Sequence, residues 1–272
     1  MLVKMPSLLY GTAWKELRTA DLVEMAICAG FRGIDTACQP KHYHEAGVGE
    51  ALVRLAVHGI KREELFIQTK FTPIGGHDPK RIPYDPTSPL ETQVFDSFKR
   101  SQENLKTHYI DSLVLHSPLF PYENLVRVWG AMEEIYRTGG ALQLGISNCY
   151  DLELLKKLYS NSVVKPTIVQ NRFYHESDYD SELREWCDTH GIVYQSFWSL
   201  TANPHILNSD VIGKLSEKYT KTPAQIWYRY LSHRGIIPLI GSTSPHHIAQ
   251  DLEIFTFELT HEEVKLITTL LE

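Results

Sequence analysis

Short β-rich runs alternate with helical patterns along the whole chain, and this alternation constrains the fold more than any other feature. The runs are Ser7 to Tyr10, Gly33 to Asp35, Leu65 to Lys70, Ser112 to His116, Gln143 to Ser147, Ile168 to Gln170, Ile192 to Phe197 and Ile236 to Leu239. Helical periodicity fills the intervals, over Ala20 to Ala29, Ala46 to Val57, Pro89 to Leu105, Glu123 to Tyr136, Asp151 to Tyr159, Ser181 to His190, Thr222 to His233 and Pro245 to Leu252. Strands separated by helices pair in parallel. About eight such units fit a (β/α)8 TIM barrel of the α/β class, read as a single domain over residues 1–272. An open doubly wound sheet uses fewer units or adds a second domain.

Local chemistry supports several boundaries. Asn148-Cys149-Tyr150-Asp151 precedes a Leu-rich helix, Thr222-Pro223 opens another, and Thr260-His261-Glu262-Glu263 is a capping-box pattern that starts a last amphipathic helix to Leu271. Two segments exceed ordinary connections, Thr72 to Ser88 and Thr201 to Asp210. Both follow strand ends, where barrel enzymes build their sites.

Composition narrows the functional classes. A chain with 43% hydrophobic and 22% charged residues can bury a large core, which excludes disorder. Its formal net charge of -6 offers no positive field for phosphate backbones, so nucleic-acid binding is not expected. Cys28, Cys38, Cys149 and Cys187 form no CxxC pair, which fits thiols in a reducing compartment and no cysteine metal site. The opening Met1-Leu2-Val3-Lys4-Met5-Pro6 lacks a secretory apolar run and no stretch is apolar enough to span a bilayer. A cytoplasmic, monomeric protein without membrane contact is expected.

Polar residues stand at or just beyond several strand ends: Asp35, Lys70 and His116, with Tyr43 in the loop after Asp35. Asp35, Lys70 and His116 each have an ordinary structural reading, as a turn cap, an ion-pair partner and a satisfied histidine. On successive strands of one barrel, however, they face a common rim.

The chain resembles the aldo-keto reductase family over nearly its whole length. Tyr10-Gly11-Thr12-Ala13-Trp14 is similar to that family's GTW turn. Gly30-Phe31-Arg32-Gly33-Ile34-Asp35-Thr36-Ala37, with Tyr43-His44-Glu45 and Val48-Gly49-Glu50-Ala51-Leu52, resembles its GxRxIDTAxxYxNExxVGxAI block. Leu65 to Lys70 resembles its lysine strand, Tyr109 to Pro118 its histidine strand, and Gly145-Ile146-Ser147-Asn148 its GxSN element. The resemblance implies carbonyl reduction by NADPH, with Asp35, Tyr43, Lys70 and His116 as a catalytic tetrad. It also implies cofactor contacts at Gly11, Thr12, Ser147, Asn148, Gln170, Phe197, Ser199, Leu200, Gly241, Ser242, Thr243, His247 and Asp251. Trp14 and His116 would touch substrate; Trp14, His42, Phe71 and Trp198 would line its pocket.

The tetrad has a physical logic of its own. Arriving hydride turns a carbonyl oxygen into an alkoxide, which needs hydrogen-bond donors and then a proton. Tyr43 can donate, but a phenol titrates near 10. A cation beside it, Lys70, is therefore expected to lower that value, Asp35 to hold Lys70, and His116 to hydrogen-bond the substrate oxygen.

Departures from the pattern matter. Cys38-Gln39-Pro40-Lys41-His42 lengthens the interval from Asp35 to Tyr43, so the loop must bulge to bring the phenol back. Gly241 and His247 stand where the family often has Lys and Arg for the 2′-phosphate, so a weaker NADPH preference is expected and NADH use stays open. The chain ends after the Thr260 helix, which leads to the expectation of an open mouth that accepts small aldehydes broadly. Two other readings are weighed: a nucleotide-binding regulatory or partner-binding subunit of the same fold, disfavoured by the complete tetrad, and a metal-dependent barrel hydrolase, disfavoured by the scattered histidines.

Overall fold

The computed structural model describes residues 5–271; Met1–Lys4 and Glu272, the ends of the 1–272 span and part of the N-terminal reading, lie outside it. Eight parallel strands close a barrel in chain order: β1 (Leu9–Gly11), β2 (Gly33–Asp35), β3 (Phe66–Phe71), β4 (Ser112–Leu115), β5 (Leu144–Ser147), β6 (Ile168–Arg172), β7 (Val193–Phe197) and β8 (Ile237–Ile240). Closure is explicit in the register, with Tyr10 opposite Ile34 on one side and Ile240 on the other. The expected (β/α)8 fold is therefore present, and strand bounds differ from the sequence reading by one or two residues.

The helices are α1 (Thr19–Ala29), α2 (Glu45–Val57), α3 (Leu90–Leu105), α4 (Tyr122–Arg137), α5 (Leu152–Asn161), α6 (Ser181–Thr189), α7 (Pro204–Leu207), α8 (Asp210–Tyr219), α9 (Pro223–His233), α10 (Pro245–Leu252) and α11 (His261–Thr268). Expected caps form: Asp151 accepts from the Glu153 and Leu154 amides, and Thr222 and Thr260 build capping boxes with Gln225 and Glu263. α7 and α8 are additions to the sequence reading. α7 lies in the segment taken as a long loop, and α8, capped by Ser209, follows it with Ile212 and Leu215 buried.

Alternation along each strand sorts side chains between two environments. Ile34, Ile67, Val169 and Tyr194 are buried in the hydrophobic layer under the helices. Asp35, Gln68, Lys70, Gln170 and Gln195, also buried, belong to the opposite set and fill the barrel interior. Gly49 brings α2 against α3: a Cβ there would lie 1.9 Å from the Asn104 carbonyl oxygen.

Candidate active site

The barrel interior below the rim is polar. Lys70, at the end of β3, donates to both Asp35 carboxylate oxygens at 2.7 Å and to the Thr36 carbonyl at 2.8 Å. Asp35 Oδ1 also accepts from Gln68 Nε2 at 2.8 Å and Gln170 Nε2 at 3.0 Å. Both glutamines donate to Gln195 Oε1, each at 2.8 Å. This glutamine girdle fixes Asp35, and Asp35 fixes the ammonium. Burial pushes the Lys70 pKa down while the Asp35 charge opposes it.

The lengthened loop does bring Tyr43 back over this pair. The Tyr43 and His42 amides both donate to the Gln39 carbonyl, and the Trp14 amide donates to the His42 carbonyl at 2.7 Å. Glu45, buried at the start of α2, anchors the far end by accepting from Thr69 at 2.5 Å and from Ser101 and Asn104 at 2.9 Å. The result places Lys70 Nζ 5.2 Å from the Tyr43 ring centroid and the His116 ring 6.1 Å from it. A cavity of about 420 Å³ behind the loop, lined by Gln39, Arg81 and Asn104 among others, shares Tyr43 but neither Lys70 nor His116.

One electrostatic expectation is corrected. The Tyr43 phenol is not lowered: burial and then the Asp35 carboxylate raise its pKa. Burial is the larger cause, and the Asp35 carboxylate paired with Lys70 offsets the ammonium's charge. His116 is pushed well below the usual imidazole range, by burial first and then by the Lys70 charge, so its ring is neutral.

Residues expected to hold a cofactor divide into two groups. Asn148, in the left-handed region at φ 53°, donates to the His116 carbonyl at 2.8 Å, and Ser147 Oγ donates to the Gln170 carbonyl at 2.6 Å. Gln170 spends both amide hydrogens on Asp35 and Gln195, which leaves its Oε1 with no partner among the described residues. Phe197 is half-buried at the end of β7, and Gly241, Thr243 and His247 are exposed at the end of β8 and the start of α10. Ser242, half-buried between them, accepts the Tyr10 hydroxyl on its carbonyl. Gly11 closes β1 half-buried, while Asp251 is buried on α10 and pushed up to about 7 by burial.

Three other residues of this set are engaged within the protein. Thr12 is fully buried and donates to the Asp35 carbonyl. Ser199 donates inward to Ser196 Oγ at 2.8 Å, while its carbonyl takes the Trp227 indole N–H, and Leu200 packs on the core. Of the pocket candidates, Phe71 is a core residue against Tyr84, whereas Trp14 and Trp198 are 64% and 51% exposed and the Trp14 ring lies tilted against His42, with centroids 4.0 Å apart.

Sequence reading also missed residues. Gln68, Thr72 and Gln195 share the alternation of Lys70 and Phe197, and a polar side chain on the interior face of an apolar strand was the available signal. Lys15 was missed as well: it is buried, with its ammonium donating at 2.6 Å to the Gly241 carbonyl and 3.9 Å from where a Gly241 Cβ would stand. Among the described residues there is no cluster of three or more His, Cys, Asp or Glu that could hold a metal, and no helix long and apolar enough to cross a membrane.

Comparison with known proteins identifies the family. The sequence model described as "Aldo/keto reductase family" matches residues 10–272. Glyoxal reductase of Bacillus subtilis is 29% identical over 250 residues, covering 92% of this chain and 82% of that protein. Methylglyoxal reductase DkgA of Yersinia pestis is 32% identical over 269 residues, covering 98% and 89%. A Bombyx mori aldo-keto reductase solved in complex with NADP superposes with a TM-score of 0.82 at 27% identity, covering 97% of this chain and 89% of that one.

Proposed function

The chain belongs to the aldo/keto reductase family, and from that premise we propose that it reduces small aldehydes and ketones to alcohols, with Tyr43 as proton donor. The observation that carries this reading is the convergence of Tyr43, Lys70 and His116 around one point at the barrel mouth. A nicotinamide dinucleotide, when bound, supplies the hydride. His116 donates a hydrogen bond to the substrate oxygen, Tyr43 delivers the proton, and Asp35 with Lys70 forms a fixed, buried ion pair beneath them. Exposed Trp14 and Trp198 offer apolar faces to a small carbonyl compound, and the relatives named for glyoxal and methylglyoxal support 2-oxoaldehydes as the first substrates to try.

The residues present fit the cofactor. Gln170 Oε1 is free to accept from a carboxamide, Asn148 is held at the rim, and Phe197 offers a ring face. NADPH is the proposed reductant, with Lys15 supplying at Gly241 the positive charge that no side chain at 241 provides. Burial and Arg18 lower the Lys15 pKa to about 8, which leaves it largely charged at neutral pH.

The test is consumption of NADPH and, separately, NADH with methylglyoxal and a panel of simple aldehydes, alongside cofactor binding followed by protein fluorescence. Lys15→Met is expected to weaken NADPH binding about tenfold, the worth of one charge-assisted hydrogen bond, and NADH binding much less. Equal losses for both cofactors would remove Lys15 from the phosphate site. Binding without turnover of any aldehyde would favour the binding-subunit reading.

The shifts also set the pH dependence. A phenol raised above its ordinary value stays protonated through neutrality, and a histidine lowered well below its own stays neutral. Neither group changes charge between pH 6 and 8.5, so kcat for reduction is expected to be flat there. A fall in kcat centred near pH 6.5 to 7 that persists in Asp251→Asn would contradict the neutral His116.

A further inference from the structure

We propose that Thr72 is a positioning residue that sets the ring tautomer of His116, keeping the hydrogen on Nε2 where a substrate carbonyl oxygen can accept it. The inference uses the reductase reading for its consequence, but the tautomer itself follows from the geometry. Thr72 lies two residues beyond Lys70 and is 2% exposed. Its Oγ1 stands 2.7 Å from His116 Nδ1.

A hydroxyl both donates and accepts, so the pair could be read in either direction. If Nδ1–H donated to Thr72, the hydroxyl hydrogen would need another acceptor, and none lies within hydrogen-bond reach among the described residues. A buried donor left unmatched is costly. The arrangement that satisfies every group has Thr72 Oγ1–H donating to the Nδ1 lone pair. The neutral imidazole then carries its one hydrogen on Nε2, which has no partner among the described residues.

The loop that follows β3 is built to hold this rotamer. The Thr72 carbonyl accepts from Tyr84 Oη at 2.7 Å and from His77 Nε2 at 2.9 Å, and Tyr84 packs against both Phe71 and His77. Gly76 faces the Thr72 methyl group so closely that a Cβ would lie 2.6 Å from Thr72 Cγ2. Gln39, from the loop that carries Tyr43, donates to the Gly76 carbonyl at 2.7 Å. The segment from Thr72 to Ser88 thus has a structural task at the site: it fixes the threonine that orients the histidine.

The test is long-range ¹⁵N–¹H NMR of the histidine rings in the whole protein without substrate, with His116 assigned by its absence in His116→Asn. In the wild type at pH 7, His116 Nδ1 is expected to resonate as an unprotonated ring nitrogen and Nε2 as a protonated one. Thr72→Val, which keeps the shape and removes the hydroxyl, is expected to abolish that signature and lower kcat/KM about tenfold to a hundredfold, chiefly through kcat. Thr72→Ser should retain the signature and activity within about threefold, because the hydrogen bond is kept. Gly76→Ala, which displaces the threonine without altering it, should shift the His116 signals as Thr72→Val does.

A protonated Nδ1 at His116 in the wild type would overturn the proposal even if no Thr72 or Gly76 variant folds. Unchanged signals in folded Thr72→Val would overturn it too. Because the spectrum needs no substrate, its result stands apart from whether any aldehyde is reduced.

Discussion

Tyr43→Phe is expected to lower kcat for aldehyde reduction by about three orders of magnitude, the scale of a lost general acid, while NADPH binding stays within about twofold. The loop is held by main-chain bonds from Gln39, by the Trp14 amide and by the buried Glu45, none of which involves the phenol hydroxyl. That hydroxyl has no hydrogen-bond partner among the described residues, so its removal breaks no structural contact. Stopped-flow reduction of methylglyoxal, with fluorescence titration of NADPH as the control, separates chemistry from binding. Turnover that survives would show that another group gives the proton. The sequence neighbour His42, whose ring packs against the exposed Trp14, would then be the first to examine.

The barrel was legible because eight strands with clean alternation leave few other ways to bury a chain of this length. The tetrad was legible because Asp35, Lys70 and His116 end their strands on one rim, and the structure brings all three to Tyr43. Other features depend on rotamers, which residue spacing does not encode. Ser199 and Thr12 sit at rim positions in sequence, yet each hydroxyl finds an inward acceptor and turns from solvent. The raised Tyr43 phenol was missed for a related reason: a nearby lysine lowers a phenol's pKa only if its charge is not already matched, and here Asp35 matches it. Lys15 escaped notice because its partner, Gly241, lies 226 positions away and meets it only when β1 closes on β8. Helix α8 begins at Asp210, the end of a segment read as a long connection, and its Ser209 cap was not recognised.

The Asp35–Lys70 pair should also dominate stability at the mouth, and the two single deletions should not be equivalent. Both side chains are almost completely buried, so removing one partner strands a charge in a poorly solvated interior, at a cost of about 3–5 kcal/mol. After Lys70→Met, the Asp35 carboxylate keeps the Gln68 and Gln170 amide donors. After Asp35→Ala, the ammonium keeps only the Thr36 carbonyl, and both glutamines lose an acceptor. Asp35→Ala is therefore expected to be the more damaging, with a Tm lowered by roughly 10 °C for a domain of this size, and Lys70→Met to fall between it and the wild type. The double variant removes both charges together and should recover part of the Asp35→Ala loss, while aldehyde reduction stays abolished in all three. Thermal unfolding of the four proteins at pH 7 measures the cycle. Equal losses for the two single variants would mean that the glutamine girdle does not support Asp35, and additive losses in the double variant would mean that the buried pair is not coupled.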